Sequence, residues 1–250
     1  MKLALVTGVS RGLGEATAKL LLDKGIHVVG VSRSTQDFQA YAEKRKVTYT
    51  HLSKDLSELK QVKAIKEKVR EICLDKNVSE LYLVNNAAVL QPIDQAMNYT
   101  SEDFAFHVQV NTIAPIVLMN GLLEFCHEKK IKFTGTTVTS GAAERPVYGW
   151  SAYCSTKASI NMYTETVGLE QEEINSGNKV FAFSPGIMDT NMQAEIRSSS
   201  KEEFVEVETF RNYKETNQLR EPREVAEVFV NILLSDEVEN GKIYYVRDYL

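Results

Sequence analysis

The sequence predicts an α/β fold in which one doubly wound parallel sheet carries helices on both faces. Short apolar runs typical of buried strands alternate with helical patterns about seven times, and no linker or low-complexity segment interrupts them. Such alternation favours parallel strands, because each helix returns the chain to the starting edge of the sheet. The 250 residues, of which 43% are hydrophobic and 25% charged, are sufficient for one core. We therefore expect a single domain over residues 1–250 with about seven strands.

The charge balance and the cysteines narrow the range of partners. The formal net charge is −5, which gives no basic footprint for nucleic acid. No apolar run approaches the length of a membrane span, so we expect no membrane partner. The three cysteines have no metal-type spacing, and their odd number favours reduced thiols in the cytoplasm. The remaining expectation is a cytoplasmic protein that binds a small molecule and no metal.

The first strand is followed by a glycine-rich turn and a helix. Residues 3–7 have a buried-strand pattern, and residues 15–24 have helical periodicity. Glycines between them let backbone N–H groups approach a phosphate, whose negative charge the helix N-terminus favours. The same glycines could serve only a tight strand–helix turn, but their context favours a dinucleotide site. Its predicted cofactor contacts are Gly8, Ser10, Arg11, Gly12, Leu13 and Gly14.

The end of the second strand indicates which cofactor binds. Residues 27–31 form the strand, and Ser32 and Arg33 follow it as predicted cofactor contacts. An acid at this place binds the ribose hydroxyl of NAD, whereas a basic residue accommodates the 2′-phosphate of NADP. Residues 26–35 contain no acid, and Arg11 offers a second guanidinium group. Two arginines at one phosphate favour NADP(H), with two solvated surface arginines as the alternative.

Two further strand ends supply predicted cofactor contacts. Asp55 and Leu56 follow a strand predicted over residues 47–52. The Asp55 carboxylate could accept a hydrogen bond from an adenine amine or cap the turn, and the sequence leaves both interpretations open. Asn86 and Ala87 follow the next strand. Small residues there would let a cofactor approach the backbone, while asparagine side chains tie neighbouring strands together.

A long helical pattern over residues 103–127 contains Asn111 and Pro115. Proline has no N–H group, so in a regular helix the Asn111 carbonyl loses its partner and the helix should kink. A freed carbonyl beside an amide side chain is a natural site for an ordered water. A kink that serves only packing is the alternative interpretation.

The candidate catalytic residues lie around the fifth strand and the helix after it. Ser140 ends a β-type pattern, and Tyr153 and Lys157 stand four residues apart, on one face of a helix. An ammonium lowers the pKa of a nearby phenol, which can then exchange a proton near neutral pH. A nearby hydroxyl can hold a carbonyl oxygen. Taken alone, such a pair is more commonly an ordinary surface pair.

The C-terminal part of the chain contains the predicted substrate segment. Pro185 and Gly186 end the sixth strand, and a polar, irregular segment follows over residues 187–220. Such a segment inside a compact domain is more often a lid or binding loop than a passive connection, and we expect short helices in it. Trp150 and Met188 are candidates for the apolar wall of a substrate site, although core packing explains Trp150 equally well.

The order of these motifs resembles that of the short-chain dehydrogenase/reductase family, over essentially the whole chain. The family more often has Gly where this chain has Ala88. The resemblance implies a Rossmann-type domain that binds NADP(H) at the carboxyl ends of the strands. The motifs that carry it are the glycine turn, Asn86-Ala87-Ala88, Asn111, Ser140, Tyr153 with Lys157, Pro185-Gly186 and Thr190.

The resemblance also implies a role for each catalytic residue. Tyr153 would donate a proton to a substrate carbonyl that receives the hydride of NADPH, and Ser140 would hold the carbonyl oxygen. Lys157 would lower the pKa of Tyr153 and bind the nicotinamide ribose, and Asn111 would hold a water that resupplies protons. The Ile187 backbone, with Thr190, would fix the carboxamide and a phosphate. Members of the family usually assemble, so a homodimer or homotetramer is expected.

A narrower resemblance is to the sepiapterin-reductase-like branch and, within it, to the bacterial benzil reductases that form (S)-benzoin. It rests on residues 149–154, 184–193 and 240–244. Pterin-reducing members hold the pterin with an acid near the C-terminus, where this chain has Tyr245, with Asp248 three residues further. This departure favours an aromatic ketone or diketone as the substrate. A pterin-type reductase and a non-catalytic NADP-binding regulator are the alternatives.

Overall fold

The computed structural model describes residues 1–34 and 38–250. Its strands are β1 (Lys2–Thr7), β2 (His27–Ser32), β3 (Tyr49–Ser53), β4 (Glu80–Asn85), β5 (Lys132–Val138), β6 (Lys179–Ser184) and β7 (Ile243–Tyr245). Within the described residues they form one seven-stranded sheet, in the order β3-β2-β1-β4-β5-β6-β7, and every neighbouring pair is parallel. The predicted doubly wound parallel sheet is confirmed.

Helices cover both faces of the sheet, as predicted. They are α1 (Gly12–Asp23), α2 (Gln39–Glu43), α3 (Leu59–Asp75), α4 (Ser101–Val108), α5 (Ala114–Lys129), α6 (Ser151–Glu173), α7 (Asn191–Ser198), α8 (Val207–Glu215) and α9 (Pro222–Leu233). One core cluster contains Leu21 of α1 and Phe229 of α9. A second cluster, on the opposite face, contains Ile65 of α3 and Leu122 of α5.

The central strands are apolar on both sides because both faces are covered. In β1, Ala4 and Val6 belong to the cluster with α1 and α9, whereas Leu3 and Leu5 belong to the cluster with α3 and α5. Successive side chains of a strand point to opposite faces, so a strand buried on both sides needs a continuous apolar run. This is why the strands are recognisable in the sequence as short uninterrupted apolar segments.

A π turn lies just before Pro115, where the sequence predicted a kink. α4 continues through the π turn Gln109–Ile113 directly into α5. The backbone N–H of Ala114 donates to the Gln109 carbonyl, which is the wider bonding pattern of a π turn. Pro115 then lies in the first turn of α5, where its missing N–H disturbs the helix least. Its carbonyl accepts a 3.0 Å hydrogen bond from Asn85 Nδ2.

The combined helix Ser101–Lys129 is the element that comes nearest to a membrane span. It has 29 residues, and its most apolar stretch of 18 residues has a mean hydropathy of 1.3. It is therefore long and apolar enough by length and composition alone, contrary to the expectation from the sequence. More than half of its apolar window is buried inside the molecule. Leu118, Leu122 and Phe125 belong to the core cluster beneath α3 and α5, so burial in the core accounts for its composition.

A third, smaller cluster lies over the carboxyl ends of the strands. It joins the start of α6 to the segment that contains α7 and α8. Trp150 stacks on Phe204, with ring centroids 4.8 Å apart, and meets Phe210 edge to face at 5.6 Å. Gly149 permits this close approach, because a Cβ there would lie 2.2 Å from the Glu203 carbonyl oxygen. The two short helices are thus fixed against the start of α6 by aromatic packing.

Candidate active site

A cavity of about 950 Å³ opens at the carboxyl ends of the strands. The strand order reverses there between β1 and β4, which is the usual ligand site of an open parallel sheet. Two predicted site residues, Gly14 and Asn111, are not among its lining residues. The predicted residues that line it are Gly8, Ser10, Arg11, Gly12, Leu13, Ser32, Arg33, Asp55, Leu56, Asn86, Ala87, Ser140, Trp150, Tyr153, Lys157, Pro185, Gly186, Ile187, Met188 and Thr190.

Gly14 supports the glycine turn from behind. A Cβ at this position would lie 2.3 Å from the Gly8 carbonyl oxygen and 2.4 Å from Asn86 Nδ2. Gly8 has a φ of +75°, a conformation that residues with a side chain rarely adopt. Gly14 therefore has a packing role against the turn that faces the cavity, and its contact with the cofactor stays a prediction.

The end of the cavity beside the glycine turn is suited to anions. Arg11 caps α1 without a side-chain hydrogen bond to the helix, so the first N–H groups of α1 are left for a ligand. Arg11, Arg33 and Lys54 all line the cavity. Lys54 was not predicted from the sequence, although its position directly after β3 could have indicated it. Positive charge and helix N–H groups together match the phosphates of a dinucleotide.

Hydrogen bonds between the ends of β1 and β4 fix the floor of the cavity. Thr7 Oγ1 accepts hydrogen bonds from the backbone N–H groups of Asn86, at 3.0 Å, and Ala87, at 3.1 Å. Asn86 Nδ2 donates to the Thr7 carbonyl at 3.0 Å. The asparagine therefore ties β4 to β1, as predicted, and the small residue after it leaves the backbone accessible.

Asp55 caps its turn. Its Oδ1 accepts a 2.9 Å hydrogen bond from the Ser57 backbone N–H. Of the two interpretations left open by the sequence, the structure shows this one, while Asp55 also lines the cavity. Ser32 is likewise held by its neighbours: its Oγ donates to the Ser34 carbonyl at 2.7 Å and lies 3.0 Å from His51 Nε2.

Ser140, Tyr153 and Lys157 come together on one side of the cavity. Burial raises the pKa of Tyr153 to about 12, and a hydrogen bond with the Ser140 side chain opposes this rise. Burial also lowers the pKa of Lys157 to about 8. Desolvation of the phenol is thus the largest effect on the Tyr153 pKa, and it opposes the lowering expected from Lys157, which stays a prediction.

Asn111 lies behind the cavity wall, and its side chain is fully engaged. Its Oδ1 accepts from the Val89 backbone N–H at 2.9 Å, and its Nδ2 donates to the Val89 carbonyl at 2.8 Å. Nδ2 also lies 2.9 Å from Nε2 of His107, a buried histidine that the sequence did not single out. The amide is therefore occupied by protein groups, which leaves only the Asn111 backbone carbonyl for the predicted water.

The other side of the cavity is mainly apolar. Trp150 both lines it and packs in the third cluster, so its two interpretations coexist. Tyr245 lines the cavity too, whereas Asp248 is not among the lining residues. Beside Tyr245 lies Glu144, whose side chain shares a hydrogen bond with it. The apolar lining residues that the sequence did not reveal include Leu90, Phe106, Val147, Met192, Ile196 and Phe210.

This combination of fold and site defines an oxidoreductase that binds a nicotinamide cofactor. The chain belongs to the short chain dehydrogenase family, whose family model matches residues 2–201. It is an enzyme that acts on CH–OH or C=O groups, as its relatives do.

Two curated relatives match the whole chain. One is a benzil reductase ((S)-benzoin forming) of Bacillus subtilis (strain 168), 38% identical over 100% of both chains. The other, of Bacillus cereus, has the same name and is 34% identical over 99% of this chain and 100% of its own. A short chain dehydrogenase/reductase structure from Saccharomyces cerevisiae superposes with a TM-score of 0.83, at 28% identity over 98% of this chain and 96% of its own.

Proposed function

We propose that this protein is an NADPH-dependent carbonyl reductase that reduces an aromatic ketone or a benzil-like diketone, in the latter case to (S)-benzoin. The observation that carries the proposal is that Ser140, Tyr153 and Lys157 line the same cavity as the glycine turn, Arg11 and Arg33, which are suited to the phosphates of a dinucleotide. The two full-length bacterial relatives support the choice of substrate.

Cofactor choice rests on the arginines. Arg11 and Arg33 would hold the 2′-phosphate, and Lys54 adds a third positive charge to the same wall. The N-terminus of α1 would bind the pyrophosphate. Ile187 and Thr190, which line the cavity beyond Gly186, would hold the carboxamide and a phosphate. NADPH, when bound, supplies the hydride for the carbonyl carbon.

The proton comes from the protein. The Tyr153 hydroxyl would donate it to the carbonyl oxygen, which the Ser140 hydroxyl holds by a hydrogen bond. Lys157 Nζ uses one of its three donors on the Val138 carbonyl, at 2.8 Å. The remaining two are available for ribose hydroxyls and for a water at the Asn111 backbone carbonyl. That water would return a proton to Tyr153 through Lys157.

The apolar half of the cavity supports an aromatic substrate. Trp150, Ile196 and Phe210 form a wall of flat and branched side chains close to Tyr153. Aromatic rings bury large areas against such a wall. The segment 187–220 acts as a lid in this proposal, because Met188, α7 and α8 cover the substrate side.

A pterin-type reductase is the second candidate. Glu144 places a carboxylate at the wall of the cavity, hydrogen-bonded to Tyr245, and a carboxylate is suited to binding the N–H groups of a pterin. Glu144 thus supplies, from a different segment, the acidic group that pterin-reducing members have near the C-terminus. The aromatic ketone remains the first choice because the surrounding wall is apolar.

Assembly is proposed through the outer faces of the long helices. Phe104 and Ile113 on the combined helix, and Met162 and Leu169 on α6, are large apolar side chains exposed in the single chain. Exposed apolar residues on adjoining helices indicate an interface. We propose a homodimer or homotetramer of this cytoplasmic enzyme. Its described cysteines are all free thiols, as expected in a reducing compartment.

A panel of carbonyl compounds tests the proposed function. Benzil, 1-phenyl-1,2-propanedione, sepiapterin and a simple quinone are each mixed with enzyme and NADPH, and the fall in absorbance of NADPH is followed. We expect the highest kcat/KM for benzil, with (S)-benzoin identified by chiral chromatography. A clear preference for sepiapterin would favour the pterin candidate. No oxidation of NADPH with any compound, despite tight NADPH binding, would favour a non-catalytic NADP-binding protein.

A further inference from the structure

His107 is a buried titratable residue that the proposed chemistry does not use. Its side chain is 0% exposed and is not among the lining residues of the cavity. Nδ1 lies 2.6 Å from the Gln91 carbonyl oxygen, and Nε2 lies 2.9 Å from Asn111 Nδ2 and 3.0 Å from Thr156 Oγ1. Three segments of the active-site region therefore meet at one imidazole.

The orientation of the Asn111 amide is unambiguous. The Val89 backbone N–H can only donate and the Val89 carbonyl can only accept, so Oδ1 must face the former and Nδ2 the latter. An amide nitrogen has two hydrogens. One is directed to the Val89 carbonyl, and the other is left for His107 Nε2.

These contacts fix the protonation of His107. The Gln91 carbonyl accepts, so Nδ1 must carry a hydrogen. Nε2 faces a hydrogen of Asn111 and must therefore be unprotonated. The Thr156 hydroxyl also lies near the carbonyls of Ala152, at 3.0 Å, and Tyr153, at 3.1 Å. It agrees with this conclusion because its single hydrogen can be directed to Nε2 instead. Only the neutral imidazole with its hydrogen on Nδ1 satisfies every group.

The segments joined in this way are those that shape the reaction site. Val89 and Gln91 line the cavity beside Tyr153. Thr156 lies in α6 between Tyr153 and Lys157, and the His107 ring meets the Tyr153 ring edge to face, with centroids 6.1 Å apart. A change at His107 would therefore reach both the cavity wall and the catalytic helix.

We propose that His107 is a positioning residue, whose neutral imidazole locks the Asn111 amide and the Val89–Gln91 wall against the helix that carries Tyr153 and Lys157. The inference deepens the proposed carbonyl reductase and rests on it. His107 touches neither substrate nor cofactor. It holds the Val89–Gln91 wall and α6 in fixed positions relative to each other. Catalysis is sensitive to small displacements of the residues that position the reacting groups.

Protonation of His107 would break the arrangement. A hydrogen on Nε2 would point at the hydrogen of Asn111 Nδ2, and turning the amide would break both bonds to Val89. Burial and the charge of Lys157 lower the pKa of His107, whereas its bond to the Gln91 carbonyl raises it. Of the titratable groups in the described residues, Tyr153 and Lys157 of α6 face the imidazole. Activity should therefore fall on the acidic side of the ordinary histidine pKa of about 6.5.

Two variants of His107 distinguish the loss of its hydrogen bonds from the loss of its ability to take up a proton. His107→Phe keeps an aromatic ring but removes the hydrogen bonds to Gln91, Asn111 and Thr156. We expect kcat to fall about tenfold or more while the Kd of NADPH stays within about twofold. His107→Gln can still accept the Asn111 hydrogen but cannot take up a proton near neutral pH. We expect it to keep kcat within about threefold of the wild type at pH 7.5 and to lose the acidic fall of kcat.

His127→Gln is the matched control, because His127 is an exposed histidine near the end of α5. It should retain the wild-type kcat and pH profile. A wild-type kcat in His107→Phe, or an unchanged acidic fall in His107→Gln, would overturn the proposal. Should His107→Phe fail to fold, the pH profile of His107→Gln still decides.

Nuclear magnetic resonance of ¹⁵N-histidine-labelled wild-type protein gives a test that needs no turnover. At pH 7 the His107 resonances should show a hydrogen on Nδ1 and none on Nε2. The opposite tautomer, or a charged imidazole, would refute the inference. If this tautomer is found but the enzyme reduces no carbonyl compound, the proposed function is refuted, whereas the hydrogen bonding inferred for His107 is upheld.

Discussion

Lys157 Nζ donates a 2.8 Å hydrogen bond to the carbonyl oxygen of Val138, the last residue of β5. Two residues further along the chain is Ser140, so this bond joins the strand that delivers the serine to the helix that carries the tyrosine. Lys157 is 4% exposed, and no carboxylate contributes to its pKa shift, which burial alone directs downward. The relative positions of three candidate catalytic side chains thus depend on one buried ammonium.

The first prediction concerns the proton donor. Tyr153→Phe should keep NADPH binding but lower kcat for ketone reduction by about 10²- to 10⁴-fold, the usual contribution of a general acid. Tyr163→Phe is the matched control on the same helix, since its hydroxyl binds Asn120 instead. Steady-state kinetics with benzil and fluorescence titration with NADPH give both quantities. A kcat near that of the wild type would refute the role of Tyr153.

The second prediction concerns cofactor choice. Arg11→Ala combined with Arg33→Ala should raise the Kd of NADPH about 100-fold or more and change that of NADH less than about threefold, because only NADPH has the 2′-phosphate. Titration calorimetry with both cofactors measures this. Arg223→Ala, at a surface arginine paired with Glu227, is the control. Equal losses for NADPH and NADH would contradict the assignment of the two arginines.

The third prediction concerns the pH dependence of stability. Burial lowers the pKa of Lys157 to about 8 in the folded protein, whereas it is about 10.4 in an unfolded chain. Between these values the unfolded chain binds more protons, so the cost of burying the ammonium disappears as pH rises. Lys157→Met removes this cost at every pH. Its free energy of unfolding relative to the wild type should be highest near pH 7 and decrease by roughly 1–3 kcal/mol toward pH 10.

Urea unfolding at several pH values measures that difference, with the exposed Lys129→Met as the control. Tyr153, whose pKa burial raises to about 12, favours the folded state below pH 10 and loses this contribution only above it, so it does not affect the chosen range. A difference that grows from pH 7 to pH 10 would show that the ammonium is not desolvated.

The fourth prediction concerns the contact between Gly149, just before α6, and Glu203 in the proposed lid. Gly149→Ala meets both a left-handed φ of +80° and the Glu203 carbonyl, 2.2 Å from the new Cβ. Gly25→Ala is a matched control, because its φ is +77° and nothing lies within 4 Å of its Cβ. Gly149→Ala should therefore cost about 1–3 kcal/mol more than the control. It should also raise KM for benzil, whereas equal thermal stability of the two variants would contradict the contact.

Much of the fold and of the site could be predicted from local patterns. The continuous apolar strands, the glycine turn and the Tyr153–Lys157 spacing are local features, and each places its residues relative to one element. Parallel connection then brings the carboxyl ends of the strands to one edge. That is why Arg11, Ser140 and Pro185, which are far apart in the sequence, could be assigned to one site.

The contacts that depend on packing between elements could not be predicted in this way. The π turn at Gln109–Ile113, which places Pro115 in the first turn of α5, was not indicated by the helical pattern. Nothing in the helical pattern distinguishes His107, because its partners Gln91 and Thr156 come from other segments of the chain.

The sequence by itself determined the class of fold, the predicted place of the cofactor and the choice of Tyr153 and Lys157 as candidate catalytic residues, because each follows from periodicity or from short spacing along one element. Only the tertiary structure decided the protonation around that pair. The pKa values of Tyr153 and Lys157 are set by burial, toward about 12 and about 8. Burial is a property of the assembled core, since it depends on which side chains from distant segments exclude water from the two groups.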